Sequence, residues 1–167
     1  MPYTCKTAKE CQREYNALMD ALRDICEFVN DLLAFHLPDQ HQELAIFCEI
    51  LPLNEKPATY PFPGCVINIQ VATIGHLDKS DKAICFVIPF GDFIDGQIVL
   101  YELGIVAEML EGIILGFPSY DVTHFNLHFR GVRGSIVLQE DKEADSWIRD
   151  RNGWDSHMAV PNVETSS

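Results

Sequence analysis

The sequence predicts a mainly β fold with flanking α, an antiparallel β-structure closed as a jelly roll or barrel with N-terminal helices packed outside it. From Cys65 onward the chain reads as seven short β-branched or aromatic runs, "CVINIQVATI", "AICFVIPF", "QIVLYEL", "GIVAEML", "IILGFP", "THFNLHF" and "GSIVLQ", parted by Gly, Asp, Ser and Pro. No helix-length insert lies between them, which argues against a parallel α/β sheet, whose strands need long crossover connections. Upstream the periodicity is helical instead.

Between Ala8 and about Phe35, the apolar residues Leu18, Leu22, Ile25, Val29 and Leu32 recur at alternating steps of four and three, one face of an amphipathic helix. Asp20, Asp24, Glu27 and Asp31 form its solvated side. Pro38 ends this helical region. Residues 40–51, "QHQELAIFCEIL", predict a shorter second helix, with a strand as the alternative. "PLNEKPATYPFPG" then carries four prolines and is read as an irregular connector. A last helix is expected near 142–151. The organisation expected is a helical support region over 1–60, a β core with its C-terminal helix over 61–158 and a disordered tail over 159–167.

At 167 residues, with 47% hydrophobic and 22% charged, the chain has the size and composition of one globular domain with its own core. Twelve Lys and Arg against 25 Asp and Glu give a formal net charge of -13. That charge disfavours nonspecific binding to nucleic acid or anionic lipid, although Arg130, Arg133, Lys142, Arg149 and Arg151 cluster near the C-terminus. The six cysteines form no CxxC pair and several sit in apolar runs, so reduced thiols are expected. No apolar run approaches the ~18 residues of a membrane helix, and the N-terminus lacks a secretory pattern. A soluble, intracellular monomer is expected, with cytoplasm and nucleus both open.

The chemistry centres on "IGHLDKSDK". In an extended strand, residues two apart point the same way, so His76 and Asp78 can face one point in space. Alone the tripeptide is weak, because such pairs also make hydrogen-bonded turns. His124, at the start of a later strand, supplies a second imidazole. Two histidines and one carboxylate with open positions make the facial triad of non-haem Fe(II) oxygenases. Arg133 follows nine residues after His124, and Ser135 two further on. If the chain turns back through "RGVRG", Arg133 and Ser135 share a face of the neighbouring strand and can hold a carboxylate between them.

This ordered set, His76-x-Asp78, His124 and Arg133-x-Ser135, resembles the Fe(II)/2-oxoglutarate-dependent dioxygenases, whose fold is a double-stranded β-helix of the cupin-like jelly-roll type. The flanking phrases "FGDFIDGQIVLYE", "FPSYDVTHFNLHF" and "GWDSH" further resemble short fungal proteins of the branch that holds the ten-eleven-translocation and J-binding-protein (TET/JBP-like) oxygenases. The resemblance covers roughly residues 60–155. It implies His76, Asp78 and His124 as iron ligands, with Arg133 and Ser135 binding the far carboxylate of 2-oxoglutarate. The cofactors implied are Fe(II) and 2-oxoglutarate, with O2 as cosubstrate. The activity implied is dioxygenase hydroxylation or oxidative demethylation of a small molecule, a protein or a modified nucleobase. The chain departs from many relatives at Glu111-Gly112-Ile113 and at Gly116, and an inactive cupin-like protein that binds a metal or small ligand is the alternative.

Other residues are candidates for the pocket or substrate. Asn68 and Gln70 alternate with apolar neighbours on the first strand and face either pocket or solvent. Asn126 and His128 lie on the His124 strand, His128 as a second ligand or, on the preferred reading, a rim residue. Tyr101 and Tyr60 are pocket-wall aromatics. Arg130 rivals Arg133 as the clamp but is read as solvated. His36, His41 and His157 are read as surface residues. No GxSxG, P-loop or dinucleotide GxGxxG occurs.

Overall fold

The computed structural model describes residues 10–49 and 56–142. The expected C-terminal helix, the tail and His157 lie outside these described residues. Two helices, α1 (Gln12–His36) and α2 (Pro38–Glu49), precede nine strands: β1 (Gly64–Ile69), β2 (Cys85–Phe90), β3 (Phe93–Asp95), β4 (Ile98–Leu100), β5 (Ile105–Ala107), β6 (Leu115–Phe117), β7 (His124–Asn126), β8 (Phe129–Gly131) and β9 (Gly134–Gln139).

The α1 face settles on Val29 and Leu33, both fully buried, with Leu22, Ile25 and Leu32 packed beside them. Leu18 is left 40% exposed toward the helix start. Pro38 does more than stop α1. The helix closes at Leu37, whose N–H donates to the Leu33 carbonyl at 2.8 Å, and Pro38 is the first residue of α2. Proline suits that position because its missing N–H would have no intrahelical partner. Residues 40–49 are helical, which settles the choice left open with a strand.

The strands form two main sheets and a ribbon. The larger sheet runs β1-β9-β2-β6, the smaller β5-β4-β7, and β3 pairs with β8, with every pairing antiparallel. A bridge between His76 and His124 extends the smaller sheet. Along the chain β1, the 76 bridge, β2, β4, β5, β6, β7 and β9 repeatedly pass from one sheet to the other. This winding is a double-stranded β-helix. Its core lies between the sheets, where Cys85 and Phe117 of the larger meet Ile98 and Leu100 of the smaller.

The inner strands of the larger sheet, β9 and β2, are largely buried on both faces. On β9, Ser135, Val137 and Gln139 line the interior cavity, while Ile136 and Leu138 point the other way onto Val29, Leu33 and Leu44 of the helices. The period of two thus sorts one strand between two cores. Helices packed outside the sheet are what the sequence predicts.

Two details differ from the seven-strand reading. "GDFIDG", which falls between two of the seven runs, contains β3, and "THFNLHF" divides into β7 and the start of β8. Both breaks have one cause. Asp95 and Gly96 take left-handed backbone angles, φ 67° and 81°, which kinks the chain between β3 and β4. The facing chain breaks at the same level, with Gly96 N–H donating to His128 and Leu127 N–H to Gln97. Gly116 also has a packing reason. It sits opposite Phe86 in the β2–β6 pair, and a Cβ there would fall 2.9 Å from the Phe86 ring. The aromatic ring covers what the glycine leaves open.

All five described cysteines are free. Burial pushes the thiols of Cys48 and Cys85 up to about 12 and that of Cys65 up to about 11. Their folded values lie above the ordinary thiol value of 9.0, so the unfolded chain gives up these protons first as pH rises. The associated stability is complete below about pH 9 and is lost as pH climbs through the folded values. A urea midpoint measured at pH 8 and again at pH 10.5 is expected to fall, and to fall less in Cys85→Ala; an equal drop in that variant contradicts the assignment. Leu138, fully buried on the central strand β9, is expected to cost about 2–5 kcal/mol when cut to alanine, read from urea unfolding.

Candidate metal centre

His76 and His124 face each other because their backbones are paired. The N–H of His76 donates to the His124 carbonyl at 3.2 Å, and the N–H of His124 donates back at 3.0 Å. The ring centroids are 4.3 Å apart. Asp78 completes the group, with its Oδ1 3.5 Å from His76 Nε2 and its Oδ2 3.4 Å from His124 Nε2. One ligand atom from each of the three lies within 4.8 Å of the others. His76 and Asp78 do not reach this arrangement on one regular strand, as their spacing predicts. His76 is held by the bridge alone, and Asp78 follows in an irregular loop.

The hydrogen bonds set which ring nitrogen is free. His76 Nδ1 lies 2.8 Å from the Ile74 carbonyl and His124 Nδ1 3.0 Å from the Val122 carbonyl. A carbonyl can only accept, so each Nδ1 carries hydrogen, which leaves Nε2, the nitrogen facing Asp78, as the atom that can bind a metal. Two imidazole nitrogens and a carboxylate, oriented in this way, suit a divalent first-row metal with open positions.

The strand under His124 is clamped from outside. Glu102, in the β4–β5 turn, accepts from the backbone N–H of Thr123 at 2.7 Å and from its hydroxyl at 2.6 Å. These bonds hold the exposed Glu102 carboxyl below its ordinary value. Phe117 packs edge-on against the His124 ring, with centroids 4.8 Å apart.

A cavity of about 330 Å³ opens in front of this group and is lined from both sheets. Arg133 and Ser135 line it from the larger sheet, Asn126 and His124 from the smaller. Arg133 and Ser135 share a face as the spacing predicts, but β9 is not the strand beside β7. It lies across the cavity, because the β8 ribbon carries the chain from one sheet to the other.

Arg133 is 7% exposed, and its Nε has no hydrogen-bond partner. Its guanidinium carbon sits 5.4 Å from the Phe93 ring centroid and 5.5 Å from that of Phe129. No carboxylate among the described residues pairs with it, and burial lowers its pKa from the ordinary value. A buried cation supported only by aromatic faces is costly unless an anion meets it. Gly96 sits tightly against Phe129, since a Cβ there would fall 3.0 Å from the Phe129 Cβ, with Arg133 Nε at ordinary contact distance beyond it.

Gln70 is the support that its strand pattern does not reveal. With φ of 54° it leaves β1, so its alternation with Asn68 ends, and its side chain ties down the turn before β9. Its Oε1 accepts from the Arg133 N–H at 2.6 Å, while its Nε2 donates to the Gly131 carbonyl at 3.2 Å. Asn68 lines the cavity opposite Ser135, with Nδ2 3.5 Å from the serine Oγ. Asn126 Oδ1 accepts from Thr73, at 3.1 Å from the amide and 2.9 Å from the hydroxyl.

Tyr101 and His128 are corrections. Tyr101 is 69% exposed in the β4–β5 turn, and His128 is exposed at the kink after β7, its ring stacked on Phe129; neither lines the cavity. The strand break removes the His124 face on which His128 was expected. Tyr60 packs with Phe47 and Cys48 beneath Lys56, away from the cavity. Arg130 is exposed and pairs with Asp95 at 3.1 Å. His36 is exposed, whereas His41 is half-buried, its Nε2 2.9 Å from Asn30 Oδ1 and its ring edge-on to Tyr60.

The structure is similar to that of NgTET1 in complex with 5mC DNA, at a TM-score of 0.71 and 18% sequence identity over 86% of this chain. This chain spans 58% of that one. The likeness is one of fold, the double-stranded β-helix. No protein-family model matches the sequence, and no curated protein does. No helix among the described residues is long and apolar enough to cross a membrane.

Because each of the three side chains offers one ligand atom, removing one leaves an incomplete set. His124→Ala is expected to weaken Co(II) binding at least roughly 100-fold, beyond the usual effect of disturbing a ligand's support, as read by anaerobic optical titration. Unchanged Co(II) affinity in folded His124→Ala means the metal binds elsewhere.

Proposed function

We propose that the chain is an Fe(II)- and 2-oxoglutarate-dependent oxygenase that hydroxylates or oxidatively demethylates its substrate. One observation carries this reading: a two-histidine, one-carboxylate group and a buried, unpartnered arginine face the same cavity. The donor set fits Fe(II), and the orphaned guanidinium fits the far carboxylate of a dicarboxylic cosubstrate. The fold shared with NgTET1 supports the same reading.

In this mechanism His76, Asp78 and His124 would hold the metal. Bound Fe(II), with 2-oxoglutarate and O2, supplies the oxidising power. The chain's own residues bind and orient. Arg133 anchors the cosubstrate through a charge-assisted bond in a site shielded by Phe93 and Phe129, where such a bond is stronger than in water. Ser135 adds a hydroxyl on the same face, with Asn68 Nδ2 3.5 Å from its oxygen. Asn126 and Thr73 wall the remaining space, where substrate enters.

The substrate class is a small molecule, a protein side chain or a modified nucleobase. NgTET1 was captured with 5mC DNA, which supports the nucleobase. The net charge of -13 weighs against tight nonspecific attachment to phosphate, so all three classes belong in one screen.

Anaerobic Fe(II) with 2-oxoglutarate is expected to give the weak visible charge-transfer band of a chelated iron, and O2 then to yield succinate. A protein that binds metal without turnover gives no succinate. Arg133→Ala is expected to keep metal binding but to cost about 2–5 kcal/mol in 2-oxoglutarate binding, a loss of at least roughly 30-fold in Kd. Unaltered cosubstrate affinity in this variant rejects the clamp.

A further inference from the structure

Asp78 is the member of the metal group that no regular element holds. It lies in the loop that follows the 76 bridge, yet its carboxylate meets both histidines. We propose that Ser119 and Asp81 are positioning residues that lock this loop, and so aim the Asp78 carboxylate at the metal.

Three hydrogen bonds close a ring around the loop. Asp78 donates its N–H to the Ser119 carbonyl at 3.0 Å, and Asp81 donates its N–H to the Asp78 carbonyl at 2.8 Å. The Ser119 hydroxyl donates to Asp81 Oδ2 at 2.5 Å. Ser119 is fully buried and Asp81 1% exposed, so water does not compete for these groups. A buried carboxylate is expensive and persists where its hydrogen bonds fix a geometry.

Ser119 also belongs to the segment that presents His124. Val122 donates its N–H to the Pro118 carbonyl at 3.0 Å, and the Val122 carbonyl takes the Nδ1 hydrogen of His124. One short turn, 118–122, therefore sets the ring of one ligand and the backbone of another. The lock makes the two ligand-bearing segments move together.

This inference rests on the metal reading above, and its test separates the two. In metal-free protein, Ser119→Ala is expected to speed amide hydrogen exchange at Asp78 and Asp81 while β9 amides keep their protection; unchanged exchange overturns the lock whatever the metal does. With Co(II) as probe, Ser119→Ala is expected to lower affinity roughly 10- to 100-fold and alter the ligand-field spectrum. Asp81→Asn, equal in size and still an acceptor for Ser119, is expected to lose less. Leu44→Ala, in the core on the α2 side, serves as a destabilised control that makes none of these hydrogen bonds. If it weakens Co(II) as much as Ser119→Ala does, the effect is general loosening and the positioning role is rejected. Wild-type protein that takes up no Co(II), with exchange altered as expected, overturns the metal reading and with it the purpose assigned to the lock.

Discussion

Two backbone hydrogen bonds between His76 and His124 extend the smaller sheet by a single bridge, and the whole candidate centre depends on them. They bring together residues 48 positions apart in the chain and leave the imidazoles side by side. Everything around the bridge limits its movement. Glu102 grips Thr123, Phe117 backs the His124 ring, and Thr73 ties to Asn126 on the next register position. A ligand pair held by main chain has little freedom to drift, and that rigidity gives a weak three-residue motif its meaning.

The second constraint is electrostatic. Arg133 lies in a low-dielectric pocket, between aromatic rings, with its Nε unpartnered. In a chain with about twice as many acids as bases, a neutralising carboxylate would be easy to supply, yet none among the described residues is placed there. The surrounding structure tolerates the arrangement because the helices and the double-sided larger sheet stabilise the fold independently of the site. Core and cavity are separated by the alternation of β9, so the polar lining does not interrupt the apolar packing beneath it.

The kink at Asp95 and Gly96 links these features. It breaks two facing strands at one level, turns the chain into the β3–β8 ribbon and delivers β9 to the opposite sheet. As a result, Arg133 and Ser135 look across the cavity at His124, rather than along a shared hairpin. Gly96 then lets Phe129 pack close, with its ring against the arginine. One local backbone choice thus sets the placement of the clamp and also takes His128 off the ligand face.

The sequence by itself determined the β-rich core, the amphipathic face of α1 and the spacing of His76, Asp78, His124, Arg133 and Ser135, because periodicity and residue chemistry are local properties. It also marked Asn68 and Asn126 as cavity candidates. The contacts among distant residues were decided by tertiary structure alone: the bridge from 76 to 124, the Gln70 tie to Arg133, the Ser119–Asp81 bond and the exposure of Tyr101. No single-chain pattern encodes these, since each depends on which strands cross between the sheets and where a left-handed residue interrupts them. Asp81 stood in plain view three residues after Asp78, but a second acid in a polar loop reads as solvent-facing until its partner, 38 positions away, is brought against it.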